Sequence, residues 1–162
     1  MNCQCVFLIQ EYLNTDMGLK ILIIGSGGRE HAISWIISKS KREIEKIFVM
    51  PGNAGTLSEK NVFNIECDIN NHQVVLNFAL ENNIDLTIVG PEVPLVEGIS
   101  DLFEEYNLNI FGPKKYFAQL EGSKVFSKNF MNSNGLPTAS YKEFDDSEKA
   151  KDYLDNKKMP IV

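Results

Sequence analysis

Basic residues are the minority charge in this chain: 16 Lys and Arg stand against 22 Asp and Glu, a net charge of −6. They are scattered rather than gathered into a patch, so a nucleic-acid partner, which calls for clustered cations against phosphates, is not expected. Long apolar runs are missing as well. None approaches the roughly 18 residues needed to span a bilayer, and no basic segment precedes the VFLI near the N-terminus. The expectation is a cytoplasmic protein without a membrane anchor or signal peptide. Cysteine is scarce: Cys3, Cys5 and Cys67 make an odd number, and Cys-x-Cys is tighter than the spacing of zinc ligand pairs. Reduced thiols of minor structural role are expected, with no metal site. Internal repeats and low-complexity segments are also absent.

What is present is enough apolar sequence, 43% of 162 residues, to bury a core. Residues 1–18 carry little periodicity and read as a disordered extension, with Met17 a possible natural start. From Lys20 to Pro113 short apolar runs alternate with helical segments. Strands are predicted over 20–25, 46–52, 62–67, 85–91 and 109–113. Helices are predicted over 31–39, with Ile33, Ile36 and Ile37 on one face, over 72–81, with Val75, Phe78 and Ala79 apolar, and over 95–106. Alternation of this kind means an α/β fold, a Rossmann-like parallel sheet with helices on both faces.

After Pro113 the pattern changes. A helical run over 114–134, interrupted at Gly122, leads to a Gly-Leu-Pro break, a predicted strand TASYKEF (138–144) and an acidic-started helix over 145–156. Asp145, Asp146 or Ser147 would cap that last helix. The chain then reaches an apolar MPIV where a further strand would begin, which suggests a truncated second domain. The expected organisation is an extension over 1–18, a Rossmann-like domain over 19–121 and the start of another domain over 122–162.

Chemistry concentrates at the ends of the predicted strands. ILIIGSGGREHAISW runs from strand to helix through Gly25, Gly27 and Gly28, so the free amides of the first helical turn face the carboxyl edge of the sheet and favour an anion. A purely structural glycine turn would look the same. The dinucleotide fingerprint G-x-G-x-x-G would place a third glycine at position 30, where Glu30 stands and would obstruct close packing. The second strand also ends without the acid that would hold an adenosine ribose, so a nicotinamide dinucleotide is disfavoured. Arg29 is opposed by the helix dipole by a few tenths of a kcal/mol up to about 1 unless an anion neutralises it, and with Gly27 and Gly28 it could grip a phosphate. His31 could orient a ligand or be a satisfied structural residue.

Two further loops follow strands on the same edge. PGNAGT supplies backbone amides and the side chains of Asn53 and Thr56, flanking Ala54 and Gly55, and suits a small phosphorylated ligand or a plain Pro-Gly turn. VGPEVPLVEG holds Glu92 between prolines, after Gly90 and Pro91, in a rigid loop. That carboxylate could bond a ribose hydroxyl or a substrate amine, or cap the helix that follows. Three loops gathered on one edge make a stronger case than any one of them.

The stretches KILIIGSGGREHAISW, VMPGNAGT, DLTIVGPEVPLVEGI and IFGPKKYFAQLEGSKVFSKNFMNSNGLPTASY, in this order across Lys20 to Val162, resemble the amino-terminal part of phosphoribosylamine-glycine ligase, an ATP-grasp family. The resemblance implies an enzyme of purine biosynthesis that joins glycine to 5-phosphoribosylamine through a glycyl phosphate, with ATP giving ADP and phosphate. It implies that Gly25, Gly27, Gly28, Arg29, Glu30, His31, Asn53, Ala54, Gly55, Thr56, Gly90, Pro91 and Glu92 face the phosphoribosylamine. It further implies that 19–121 is the pre-ATP-grasp domain and that 122–162 begins the ATP-grasp domain. There Lys124, after Gly-Ser, would neutralise ATP phosphates, with a solvated helix lysine as the plain alternative.

The cofactor implied is ATP with Mg²⁺ or Mn²⁺, whose acidic ligands in the family lie past the equivalent of Val162, as do the catalytic groups. The expectation is therefore a monomer that binds small molecules and is inactive as this fragment alone. The alternative is a non-catalytic module that holds a sugar phosphate.

Overall fold

The computed structural model describes residues 18–157. The expected N-terminal extension, apart from Gly18, and the MPIV run lie outside the described residues. The described chain forms two compact units that divide between Gly122 and Ser123.

The first unit is a five-stranded sheet of β1 (Leu19–Gly25), β2 (Ile44–Pro51), β3 (Val62–Asn64), β4 (Leu86–Val89) and β5 (Ile110–Phe111). Their order is β3-β2-β1-β4-β5, and every pairing is parallel. β1 lies in the middle, with Ile23 opposite Val49 on one side and Ile88 on the other. Its residues Ile21 to Ile24 are all buried, as expected of a strand covered on both faces. Alternation then divides them: Leu22 and Ile24 join Phe48, Met50, Val75, Leu76, Ile99 and Phe103 on one side. Ile21 and Ile23 join Ile47, Val49 and Val62 on the other, packed by Ile33 and Ile37. Each such side chain contributes about 1.5–3 kcal/mol by leaving water.

The helices of this unit are α1 (Gly28–Ser38), α2 (His72–Glu81), α3 (Glu92–Glu97), α4 (Ile99–Glu105) and α5 (Lys115–Gly122). The Rossmann-like sheet with helices on both faces is thus present, with local differences from the sequence reading. α1 begins three residues earlier than predicted, inside the glycine turn, and Ile36 is exposed beside Trp35. The buried residues of α1 are Glu30 and Ser34, while Ile33 and Ile37 pack half-buried against the sheet. The third and fifth strands are shorter than predicted. The helix predicted over 95–106 is two helices that meet at Gly98, whose φ of 103° is left-handed and open to glycine alone at low cost. α3 starts at Glu92, so this residue lies in a first helical turn rather than a free loop. α5 crosses α3 closely enough that a Cβ on Gly122 would strike Val96 Cγ2.

The second unit comprises α6 (Lys124–Ser133), α7 (Ser147–Asp155) and the segment between them. Ser123 caps α6 by accepting from Phe126 N at 3.2 Å. Asp146 caps α7, accepting from Glu148 N at 2.7 Å, which selects one of the three predicted caps. The strand predicted over Thr138 to Phe144 is not formed. An extended segment becomes a strand only against a partner, and the described residues of this unit hold none. Instead Lys128 Nζ donates to Thr138 Oγ1 at 2.8 Å and to Ala139 O at 3.1 Å, and Phe144 packs on Tyr153 with ring centres 5.2 Å apart.

Candidate functional site

The sheet order has its switch point between β1 and β4, where the chain, having run outward through β2 and β3, returns to the other side of β1. The crevice outside the carboxyl ends of those two strands is where open α/β sheets bind ligands. The loops after β1, β2 and β4 all open there; hydrogen bonds join the first two, and the third packs against the first at Glu30.

Glu30 holds the first loop to the third. It is 3% exposed, and its Oε2 accepts from Gly27 N at 2.6 Å while Oε1 accepts from Arg29 Nε at 3.1 Å. The contact with Gly27 is the backbone half of a capping box, the only half a glycine can complete. The carboxylate lies against three glycines. A Cβ would stand 2.6 Å from Glu30 Cδ at Gly25 and 2.9 Å from Oε2 at Gly27, and at Gly90 it would overlap Oε1. Gly25 also has a φ of 130°, so both space and backbone require glycine there. Glu30 therefore leaves the packing of α1 on the sheet undisturbed, and its carboxylate occupies the ligand side of the glycine turn. It turns inward and supplies the anion that neutralises Arg29 in the first turn of α1.

Asn53 holds the second loop to the first. Its Nδ2 donates to Ser26 O at 2.8 Å and Gly27 O at 3.1 Å, and its Oδ1 accepts from Gly55 N at 2.8 Å and Thr56 N at 3.1 Å. Thr56 is fully buried; its hydroxyl accepts from Asn53 N at 2.9 Å and its single proton lies between Asn53 O and Asn64 Oδ1. The polar groups of Asn53 and Thr56 thus serve the loop itself, and Ala54 stands exposed at its tip. Asn64 closes the set by donating to Asn53 O at 2.8 Å. Sequence reasoning missed Asn64; a polar residue at the end of an apolar strand was the available signal.

His31 Nε2 lies 3.0 Å from Glu59 Oε1. A carboxylate accepts only, so Nε2 carries the proton and Nδ1 faces Gly55, where a Cβ would come within 2.5 Å. Glu59, at the end of the short helical turn Thr56–Ser58, was also missed, and no spacing in the sequence announces it. Glu92 is exposed, with no hydrogen bond or ion pair to its carboxylate among the described residues. Pro91, which cannot cap with a side chain, precedes it. Arg29 keeps 56% of its side chain in solvent. The edge thus presents one cation and one carboxylate outward from a framework that is otherwise internally satisfied.

In the second unit, Lys124 opens α6 at an exposed position and makes no hydrogen bond or ion pair among the described residues. A cation in a first turn is opposed by the helix dipole, so this position also favours an anion. Among the described residues no group of three or more His, Cys, Asp and Glu side chains could hold a metal ion. No helix there is long and apolar enough to cross a membrane.

Two family descriptions match the chain: "Phosphoribosylglycinamide synthetase, N domain" over residues 19–121, and "Phosphoribosylglycinamide synthetase, ATP-grasp (A) domain" over residues 122–162. Proteins named phosphoribosylamine-glycine ligase are similar over 144 residues, 89% of this chain. That of Pseudomonas putida is 51% identical, with 33% of its length covered; that of Clostridium acetobutylicum is 49% identical, with 34% covered. The chain thus spans about a third of the length of these relatives. Among solved structures, the biotin carboxylase domain of Hydrogenobacter thermophilus 2-oxoglutarate carboxylase, in complex with MgADP and bicarbonate, shares the fold. It has a TM-score of 0.62 and 22% identity, over 90% of this chain and 34% of that one. With one description matching most of the chain in register with the three-loop edge, the chain belongs to the phosphoribosylglycinamide synthetase family.

Proposed function

We propose that this chain forms the phosphoribosylamine side of an ATP-dependent ligase that joins glycine to 5-phosphoribosylamine in purine biosynthesis. Residues 19–121 are then the substrate-holding domain, and residues 122–162 open the ATP-grasp domain. The observation that carries the reading is the braced edge, in which three loops are locked together and only Arg29 and Glu92 turn charged groups outward. A sugar phosphate has the matching chemistry. Its dianion suits Arg29 and the free amides of Gly28 and Arg29 at the start of α1. Its hydroxyls, or the amine of phosphoribosylamine, suit an exposed carboxylate such as Glu92. Gly25, Gly27, Glu30, Asn53, Gly55, Thr56, Gly90 and Pro91 serve by shaping the loops, and His31, set by Glu59, by orienting.

ATP with Mg²⁺ or Mn²⁺ is the phosphoryl donor in this reading, and Lys124 is the residue of this chain suited to its phosphates. Phosphoryl transfer depends on metal and cationic stabilisation, and this chain spans about a third of its relatives' length. On that ground the 162-residue chain alone is expected to bind substrate without completing the reaction; a monomer in the cytoplasm belongs to the same reading.

Calorimetry tests the reading with ribose 5-phosphate as a stable stand-in for phosphoribosylamine. Saturable one-to-one binding that weakens at least tenfold in Arg29→Met supports it. Binding of NADH to the unaltered chain, with none of ribose 5-phosphate, overturns it. Product formed from ATP, glycine and phosphoribosylamine by the purified chain would overturn the expectation of inactivity.

A further inference from the structure

Part of the crevice at the switch point is already occupied by the protein itself. In dinucleotide-binding sheets that crevice takes a pyrophosphate against the glycine-turn amides. Here the Gly27 amide donates to Glu30 Oε2 at 2.6 Å, and the space beside Gly25, Gly27 and Gly90 is taken by the Glu30 carboxylate. The next position along the turn is the opposite case, since a Cβ on Gly28 would meet nothing within 4 Å. The amides of Gly28 and Arg29, the first two of α1, have no carbonyl four residues back within the helix to bond. The turn is therefore divided into one half occupied by the protein's own anion and one half open.

From this division we infer that Glu30 is a specificity-determining residue, a built-in anion that stands where a dinucleotide would put its pyrophosphate. It leaves the turn room for one phosphate, at Gly28 and Arg29. The inference rests on the sugar-phosphate reading of this edge and adds the reason that the edge refuses larger nucleotides. Charge and volume act together. An incoming diphosphate would meet a buried carboxylate, would find the Gly27 amide engaged, and would have to displace a side chain packed against two loops. A monophosphate at Gly28 needs neither the Gly27 amide nor the space of the packed side chain, and Arg29, held through its Nε by Glu30 Oε1 at 3.1 Å, stands between it and that carboxylate and keeps its terminal nitrogens for it.

The experiment has two arms on the 162-residue chain. In the first, ribose 5-phosphate is titrated into the unaltered protein and backbone amide resonances are followed. Gly28 and Arg29 are expected to shift while Gly27 stays within a third of their displacement, because its hydrogen bond to Glu30 persists. A Gly27 shift as large as theirs overturns the inference. In the second arm, NADH binding is measured for the unaltered chain and for Glu30→Gly, which completes G-x-G-x-x-G, and for Glu30→Ala, which opens the same space with a better helix former. Both are checked for a cooperative melt. A gain in NADH affinity of tenfold or more in either folded variant supports the inference, and no gain in a folded variant overturns it. If neither variant folds, the first arm decides alone. Should ribose 5-phosphate bind nowhere, the sugar-phosphate reading fails, and the NADH gain still judges the role of Glu30.

Discussion

The longest helices of the first unit, of 11 and 10 residues, match in length those of the second, of 10 and 9, but the two sets differ in what they cover. Every buried residue of the described chain belongs to the first unit, from Ile21 to Ala118 among the apolar ones. Neither α6 nor α7 buries a residue, and Phe130, Leu136 and Leu154 are 41–48% exposed. In the first unit the functional loops hang from a covered parallel sheet, so their geometry is fixed by packing and by hydrogen bonds among themselves. In the second, Lys124 stands at the start of an amphipathic helix with no such framework beneath it. The difference teaches where binding and stability should be coupled. Substitutions in the loop braces of the first unit should change both, whereas those at exposed groups of either unit should change binding alone.

The largest effect that could break this comparison lies in the core. Leu22→Ala, at a fully buried position, should cost about 2–5 kcal/mol. Phe130→Ala, at an exposed one, should stay within about 1 kcal/mol of the unaltered chain. Urea unfolding followed by far-ultraviolet circular dichroism reads the helices of both units, and Trp35, the single tryptophan, reports the first unit alone. A Phe130→Ala loss as large as that of Leu22→Ala would show that the second unit has a core after all.

Next in size is the loop brace. Asn53→Ala removes two hydrogen bonds that join the first two loops and two that shape the second, and should cost about 1–3 kcal/mol, with ribose 5-phosphate binding weakened in parallel. Glu92→Gln removes a first-turn anion worth a few tenths of a kcal/mol, so it should barely move the melt while weakening binding clearly. Thermal melts and calorimetry on the same two variants separate the cases. Equal loss of stability in both would remove the distinction between brace and outward group.

A smaller effect is expected at Lys124. Reversing its sign in Lys124→Glu puts an anion where the α6 dipole favours one, a gain of about 0.3–1 kcal/mol in local helix stability. Hydrogen exchange at the amides of α6 should slow accordingly, and faster exchange would mean that Lys124 has a compensating anion.

How much of this was legible in the sequence follows the same division. β1, β2 and α2 announced themselves, because a strand buried on both faces must be apolar throughout and an amphipathic helix must repeat with its turn. The glycines of the edge were legible as a class, and Gly98 was not, since a break inside a helical pattern looks like any tolerated glycine until its left-handed φ is seen. The direction of Glu30 was also hidden. The apolar period begins at His31, one residue past Glu30, and only the meeting of the loops after β1 and β4, sequence-distant at Gly25 and Gly90, decides that its carboxylate points inward. TASYKEF shows the converse error: β-forming residues predict a strand, and without a partner in the described residues they make none.

Cys67 offers the smallest and most local test of the first unit's packing. It lies among the half-buried apolar residues against the sheet, and its thiol is pushed above the ordinary value by burial first and by the Asp68 carboxylate second. Both causes penalise the thiolate, so at a fixed mildly alkaline pH a smaller fraction is reactive than in an unfolded chain. Because folding holds that proton more tightly, the linkage favours the folded state at low pH, and the contribution is lost as pH rises through the folded value. Alkylation by iodoacetamide, resolved by peptide mass mapping, should therefore be several-fold slower at Cys67 in the native chain than in urea. Addition of urea should remove the difference in the same transition that Trp35 reports. A native Cys67 that reacts as fast as the unfolded one would mean that the edge of the core beside Asp68 is open to solvent.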